Sequence, residues 1–250
     1  MGSQRVKNLI IIFVVIVVIS LLKLCGFGFG NEIKLSLLLG TGLFGSDQYL
    51  GVWFVFILFP VLGLLLPLFV VKFVFKEDAK EYGFGLGDTK TGMIWLLVLL
   101  PVSVIGSLAV TVLGVHTYYS YLTDENWLKA YYVALHCISY IGFVLGFEFL
   151  FRGFVLFGLA KNLGNDTNAK WIAVFFSGAA SVVCLLGLPI TFIVSALALF
   201  IPAGFLNFRL RSFLYIAMFH WSAGIWADIW EIIKNNILNS YKILKIAIDQ

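Results

Sequence analysis

The chain has 250 residues, of which 61% are hydrophobic and only 12% charged, with a formal net charge of +4. A soluble domain carries roughly 25% charged residues, so this composition, with its mean hydropathy of +1.01, excludes a water-soluble globule. So small a positive excess does not suggest a nucleic-acid partner. In the bilayer core backbone groups must pair within the chain, which leaves helices or a closed barrel, and long apolar runs without alternation exclude the barrel. The expected fold class is all-α: a polytopic membrane helix bundle of about seven transmembrane helices, since a span takes about 20 apolar residues.

In chain order, the expected spans are residues 8–25, 49–75, 91–114, 127–160, 171–188, 190–208 and 212–233. The first, NLIIIFVVIVVISLL behind Arg5 and Lys7, has the look of a signal sequence, but no small-residue cleavage site follows, so it reads as a retained span. Val6 breaks the myristoylation pattern. After the second span comes the strongly polar stretch, KEDAKEYGFGLGDTKTG. Its glycines mark turns, and it has neither the spacing nor the preceding strand of a phosphate loop. The fourth run is too long for one straight crossing; it tilts, breaks near Gly146 or continues past Arg152.

Arg5 and Lys7, then Lys72, Lys76, Lys80 and Lys90, then Lys161 and Lys170, then Arg209 and Arg211 make alternate connections basic, which places the N-terminus in the cytoplasm of a cell-membrane protein. Lys234, Lys242 and Lys245 do not fit that alternation. Either the amphipathic tail, residues 234–250, is a separate surface helix, or the span count is off by one. The resulting division is residues 1–90, two spans and the polar loop; residues 91–233, a core bundle; and the tail. Cys25, Cys137 and Cys184 sit in or beside apolar runs without metal spacing and read as packing residues.

Charges in the membrane interior cost about 2.5–3.5 kcal/mol each on insertion scales, so those that persist mark a site or a paired structural feature. Five stand out: Glu148, Arg152, His136, His220 and Asp228. Glu148 and Arg152 lie within FEFLFRGF, four residues apart, hence on one helical face. Two readings fit that spacing: a structural ion pair, or a carboxylate held ionised as a general base. His220 and Asp228 are eight residues apart, roughly 12 Å along a helix, too far to touch. His136, with no evident partner, reads as structural. Zinc takes three or four close ligands; Glu148 and His220 supply two and HExxH is absent, so no metal and no other cofactor is expected.

FEFLFRGFVLFGL, SGAASVVCLLGLP and LNFRLRSFLYIAMFHWSAGIWAD together resemble the CPBP family (CAAX protease and bacteriocin-processing, or Abi), intramembrane glutamate endopeptidases and their non-catalytic relatives. The resemblance covers about Tyr131 to Asp228. Of the family's paired glutamates and following arginine, Glu148 and Arg152 match the second glutamate and the arginine, while Phe147 occupies the first position. At the second motif Ser181 stands for the Phe and Leu185 for the His. At the third, His220 matches the His and Gly224 takes the place of an Asn. A single-glutamate subgroup with a late HW…D pattern fits better.

The resemblance implies a CPBP-type core and, in an active member, Glu148 as the base that activates water, His220 holding water or the oxyanion, Arg152 orienting Glu148, and Asp228 and His136 supporting the bundle. The substrate would be a membrane-proximal or C-terminal peptide segment. The departures at Phe147, Leu185 and Gly224 suit the other class equally: a catalytically degenerate relative that binds and stabilises a membrane-protein partner. Membrane lipid is a partner in either case. A small transporter would show inverted repeats and broken helices, which this sequence lacks.

Overall fold

The computed structural model describes residues 2–24, 56–112, 130–187 and 190–248, and among these all regular structure is helical. Helix α1 is Gly2–Leu24 and α2 is Phe56–Phe75. A short 3₁₀ turn, Ala79–Tyr82, leads to α3, Thr89–Val112. Helix α4, Ala130–Glu148, runs through a π-helical stretch, Phe149–Val155, into α5, Leu156–Leu163. Then come α6, Thr167–Leu185, α7, Ile190–Leu210, and α8, Leu214–Ile248.

Five helical segments among the described residues are long and apolar enough to cross a membrane: Ser3–Leu24, Phe56–Phe75, Thr89–Val112, His136–Leu163 and Thr167–Leu185. The chain therefore has the makings of a multi-pass membrane bundle. The last two expected spans are helical as well. The final one does not end at residue 233 but continues without a break through the tail to Ile248, 35 residues and roughly 52 Å, well beyond a hydrocarbon core of about 30 Å. The tail is thus an extension of α8 rather than a separate helix. Residues 49–55 of the second expected span and Cys25 lie outside the described residues.

The fourth run continues past Arg152 instead of breaking at Gly146. It is the axis of the bundle: 89% of its apolar window is buried, against 28% for α1 and 17% for α3. FEFLFRGF looks lipid-facing by composition, yet every residue from Phe147 to Val155 is buried. Phe56 and Phe59 of α2 pack edge-on and tilted against Phe143 and Phe147, aromatic pairs that add to plain area burial. Close approach of these helices depends on two glycines. A Cβ on Gly63 would sit 2.6 Å from the Gly146 carbonyl oxygen, and one on Gly146 would overlap the Phe59 carbonyl, so neither site has room for a side chain.

Helix α1 presents Ile11, Val15, Val18 and Leu22 to this core at helical spacing while Leu9, Phe13 and Ile16 face outward. Helix α3 instead lies along α8, burying Ser103, Ser107 and Thr111. Small hydroxyl residues let the backbones close up; Ser103 and Ser222 hydroxyls meet at 2.7 Å and the Trp230 indole donates to the Val104 carbonyl.

The basic connections gather at one end of the bundle. Lys7 and Lys161 both reach Glu77, at 2.6 and 3.0 Å, and Tyr82 donates to the same carboxylate. The polar loop is stitched to the α7–α8 turn by Asp88 N–H to Leu210 O and Tyr215 hydroxyl to Leu86 O. Burial alone would raise the Glu77 pKa, but the hydrogen bonds from Lys7, Tyr82 and Lys161 outweigh it and hold the carboxyl at about 2, below its ordinary 4.5. A depressed carboxylate stabilises the fold above its unfolded pKa and loses that contribution as pH falls through the folded value. The stability difference between wild type and Glu77→Gln should therefore shrink between pH 4.5 and about 2. Melting midpoints across that interval test it; a constant difference would refute the role of the cluster.

Candidate functional site

Two helices carry the interior polar groups, α4 with its π-helical continuation and α8. Glu148 closes α4 and Arg152 lies one turn on. Glu148 Oε1 is 2.8 Å from His220 Nδ1, and Oε2 is 3.5 Å from Arg152 Nε, an ion pair rather than an aligned hydrogen bond. The Glu148 and Arg152 side chains are 2% and 1% exposed, whereas the His220 side chain is 29% exposed. The spacing-based expectation of a Glu148–Arg152 contact thus agrees with the geometry, and α8 brings His220 to the same carboxylate.

Arg152 is held from several sides. Its Nη1 donates to Ser181 Oγ at 3.1 Å, Ser181 donates to the Ser177 carbonyl, and the guanidinium carbon lies 4.0 Å from the centre of the Phe200 ring. A cation over an aromatic face is attracted by its quadrupole, more so when desolvated. The wider winding of residues 149–155 disrupts the usual backbone ladder, and Ser177 donates to the carbonyl of Phe151 at 2.8 Å. Among the described residues, the buried atoms without a hydrogen-bond partner include Glu148 Oε2, Arg152 Nη2 and, further along, Asp228 Oδ1.

The motif departures acquire physical content. Phe147 is buried, edge-on to the His220 ring at 5.6 Å and to Phe151 at 4.8 Å, so an aromatic ring packs directly against the imidazole. Leu185 is a core residue, and the polar contact nearest that motif comes one turn earlier, from Ser181. At Gly224 a Cβ would overlap the Tyr140 hydroxyl: the phenol from α4 occupies the space over α8 that a larger residue would take.

Asp228 does not reach His220, as its spacing requires. The reading of His136 as partnerless is overturned: His136 Nε2 lies 2.8 Å from Asp228 Oδ2, both groups buried. The two helices therefore exchange opposite members. Helix α4 gives an imidazole at 136 and its end a carboxylate at 148; α8 answers with a carboxylate at 228 and an imidazole at 220. Tyr140 stands between the pairs, stacked on His136 with ring centres 5.8 Å apart and edge-on to His220 at 6.4 Å. Tyr140 and Ser177 carry no sequence signal strong enough to single them out, although Tyr140 lies one turn from His136 on the same face; Ser181 drew notice only as a motif departure, not as a partner of Arg152.

Among the described residues, no three His, Cys, Asp or Glu side chains come together to hold a metal ion. Cys137 and Cys184 are free thiols; the Cys137 carbonyl accepts from the Trp221 indole, which helps lock α8 against α4. What the arrangement offers is proton chemistry: two carboxylate–imidazole pairs in a buried interior, one of them partly open. The chain matches no protein-family model, no curated protein and no solved structure.

Proposed function

We propose that this chain is a CPBP-like intramembrane protein whose Glu148–His220 pair activates water against a membrane-proximal or C-terminal peptide segment, working without a metal. The observation that carries this reading is the 2.8 Å contact between Glu148 Oε1 and His220 Nδ1 beside an ion-paired arginine. With the Nδ1 proton donated to the carboxylate, the other ring nitrogen is left as an acceptor. His220, the more exposed partner, then takes the proton from water, and Glu148 orients it and balances the imidazolium. This reverses the roles assigned to the two residues from sequence. Arg152 Nη2 supplies positive charge for the developing oxyanion, a role that grows in low dielectric. Orientation in the cell membrane follows the basic end of the bundle, with the N-terminus in the cytoplasm.

Cleavage of peptides with a membrane-anchored segment, assayed in proteoliposomes, should fall by about 10²–10⁴ in Glu148→Gln and His220→Gln, the usual contribution of a positioned acid–base group. Undiminished cleavage in either variant would refute the assignment. A second reading is favoured by Leu185 and by the packing of Phe147 onto His220: a degenerate relative that binds a membrane protein and steadies it. In that case wild type would not cleave, and wild type and Glu148→Gln would retain the same partner in a mild-detergent pull-down.

A further inference from the structure

The basic end of the bundle sorts its cations into two groups. Lys7 and Lys161 are taken up by Glu77, and Lys161 also by Glu81. Lys90, Arg209 and Arg211 are exposed, and no carboxylate among the described residues pairs directly with any of them. Main-chain contacts nevertheless bring these three together. The Asp88 N–H donates to the Leu210 carbonyl at 2.9 Å, and the Phe213 N–H to the Gly83 carbonyl at 3.4 Å. The polar loop is thereby fastened to the α7–α8 turn. At Gly87, which has a φ of 54°, a Cβ would overlap the Leu210 carbonyl. Arg209 and Arg211 flank that leucine, both within electrostatic reach of Asp88, and Lys90 stands two residues beyond Asp88.

Three cations thus share one carboxylate, and its oxygens are already engaged by the Thr91 N–H and hydroxyl at 3.1 and 2.7 Å. Asp88 also occupies the N-terminus of α3, so any attraction for an anion comes from the side chains. Arg211 ends α7 with a φ of 54°, the left-handed conformation that glycine usually supplies at a helix C-terminus. An arginine there keeps a long cation on the turn in spite of the backbone strain. Directly below the cations the surface turns apolar. On α3, Lys90, Met93, Ile94 and Leu97 fall on one helical face, and all four are exposed. Trp95 lies in the same turns, partly exposed, and indoles gather at the boundary between membrane and water. A cationic cap over an apolar strip fits an amphiphile with an anionic head. A nucleic acid has nothing to lay along Ile94 and Leu97.

We propose that Lys90, Arg209 and Arg211 bind the phosphate headgroup of an anionic phospholipid whose acyl chains lie along the Met93–Leu97 face of α3. Arginine matches phosphate oxygens with paired N–H donors, and lysine adds a point charge. A lipid seated there bridges the start of α3 to the turn from which α8 departs.

The test is thermal melting of the full chain in neutral detergent micelles, titrated with dioleoylphosphatidylglycerol or with zwitterionic dioleoylphosphatidylcholine. A ligand that binds the folded state raises the melting temperature. Phosphatidylglycerol should raise it and phosphatidylcholine should not. The amount of phosphatidylglycerol that gives half the shift should rise about fivefold in Lys90→Gln, the attraction of one basic side chain at an anionic membrane surface. It should rise further in the double variant Arg209→Gln, Arg211→Gln. Lys90 and the arginines lie on different elements, so Lys90→Gln gives a reading even where the double variant fails to fold. Lys72→Gln, Lys76→Gln removes two exposed charges from the end of α2 and should leave the titration unchanged. Equal stabilisation by phosphatidylcholine, or an equal displacement in the Lys72, Lys76 variant, would overturn the site in favour of bulk surface charge. Full stabilisation by inorganic phosphate alone would overturn it in favour of a free anion. No cleavage is measured, so the lipid site stands or falls separately from the chemistry of Glu148 and His220.

Discussion

Arg152→Met should destabilise the protein by about 3–5 kcal/mol, the cost of leaving a buried charge without its partner. The residue is 1% exposed, and its guanidinium is the cation beside a carboxylate that is equally buried. Removing it leaves Glu148 to face His220 alone, along with a Ser181 hydroxyl that has lost its donor. The double variant Glu148→Met, Arg152→Met should recover most of the loss, since replacing both members of a buried pair by apolar groups is often neutral. Reversible unfolding in mixed micelles measures all three proteins. A single-variant loss below about 1 kcal/mol, the range of exposed ion pairs, would show that Glu148 is not held as a buried anion, and the site's chemistry would have to be redrawn.

The second large effect is steric. Gly146→Val should destabilise the bundle by about 1–3 kcal/mol or more, as overpacked cores do, and should also abolish the Glu148–His220 contact. The obstacle at Gly146 is the Phe59 carbonyl and at Gly63 the Gly146 carbonyl; main chain cannot swing aside as a side-chain tip can. Helix α4 would have to shift, and Glu148 lies only two residues further on. Gly106→Ala is the control. Its Cβ meets nothing within 4 Å, and alanine in a helix interior is favoured over glycine by about 0.5–1 kcal/mol. If Gly146→Val and Gly106→Ala behave alike in melting and in the ¹⁵N signal of His220, the close crossing does not position the site.

Resemblance at the level of motifs and the packing seen here bear on different questions. The spacing of Glu148 and Arg152 states that they share a face, and nothing about α8. His220 could be suspected from its apolar surroundings, but its partner lies 72 residues earlier. His136 read as structural because its acid lies 92 residues away. Gly224 looked like a missing amide; in the folded chain it is room for Tyr140. The composition of FEFLFRGF alone would suit a lipid-facing surface, because hydropathy cannot distinguish a helix wrapped in lipid from one wrapped in other helices; the paired charges at Glu148 and Arg152 are what mark it as interior.

What the amino-acid order determined by itself is whatever depends on local chemistry: an all-helical membrane chain, the approximate limits of its helices, a basic set of connections, and one ion pair at helical spacing. These follow from transfer energies and from the 3.6-residue turn, which act over a few neighbours. Only the tertiary structure decided which helix is central, which imidazole meets which carboxylate, and that a π-helical stretch and two serines hold the arginine. Those outcomes rest on helix crossings set by glycines and aromatic rings far apart in the chain, and no local rule carries that information.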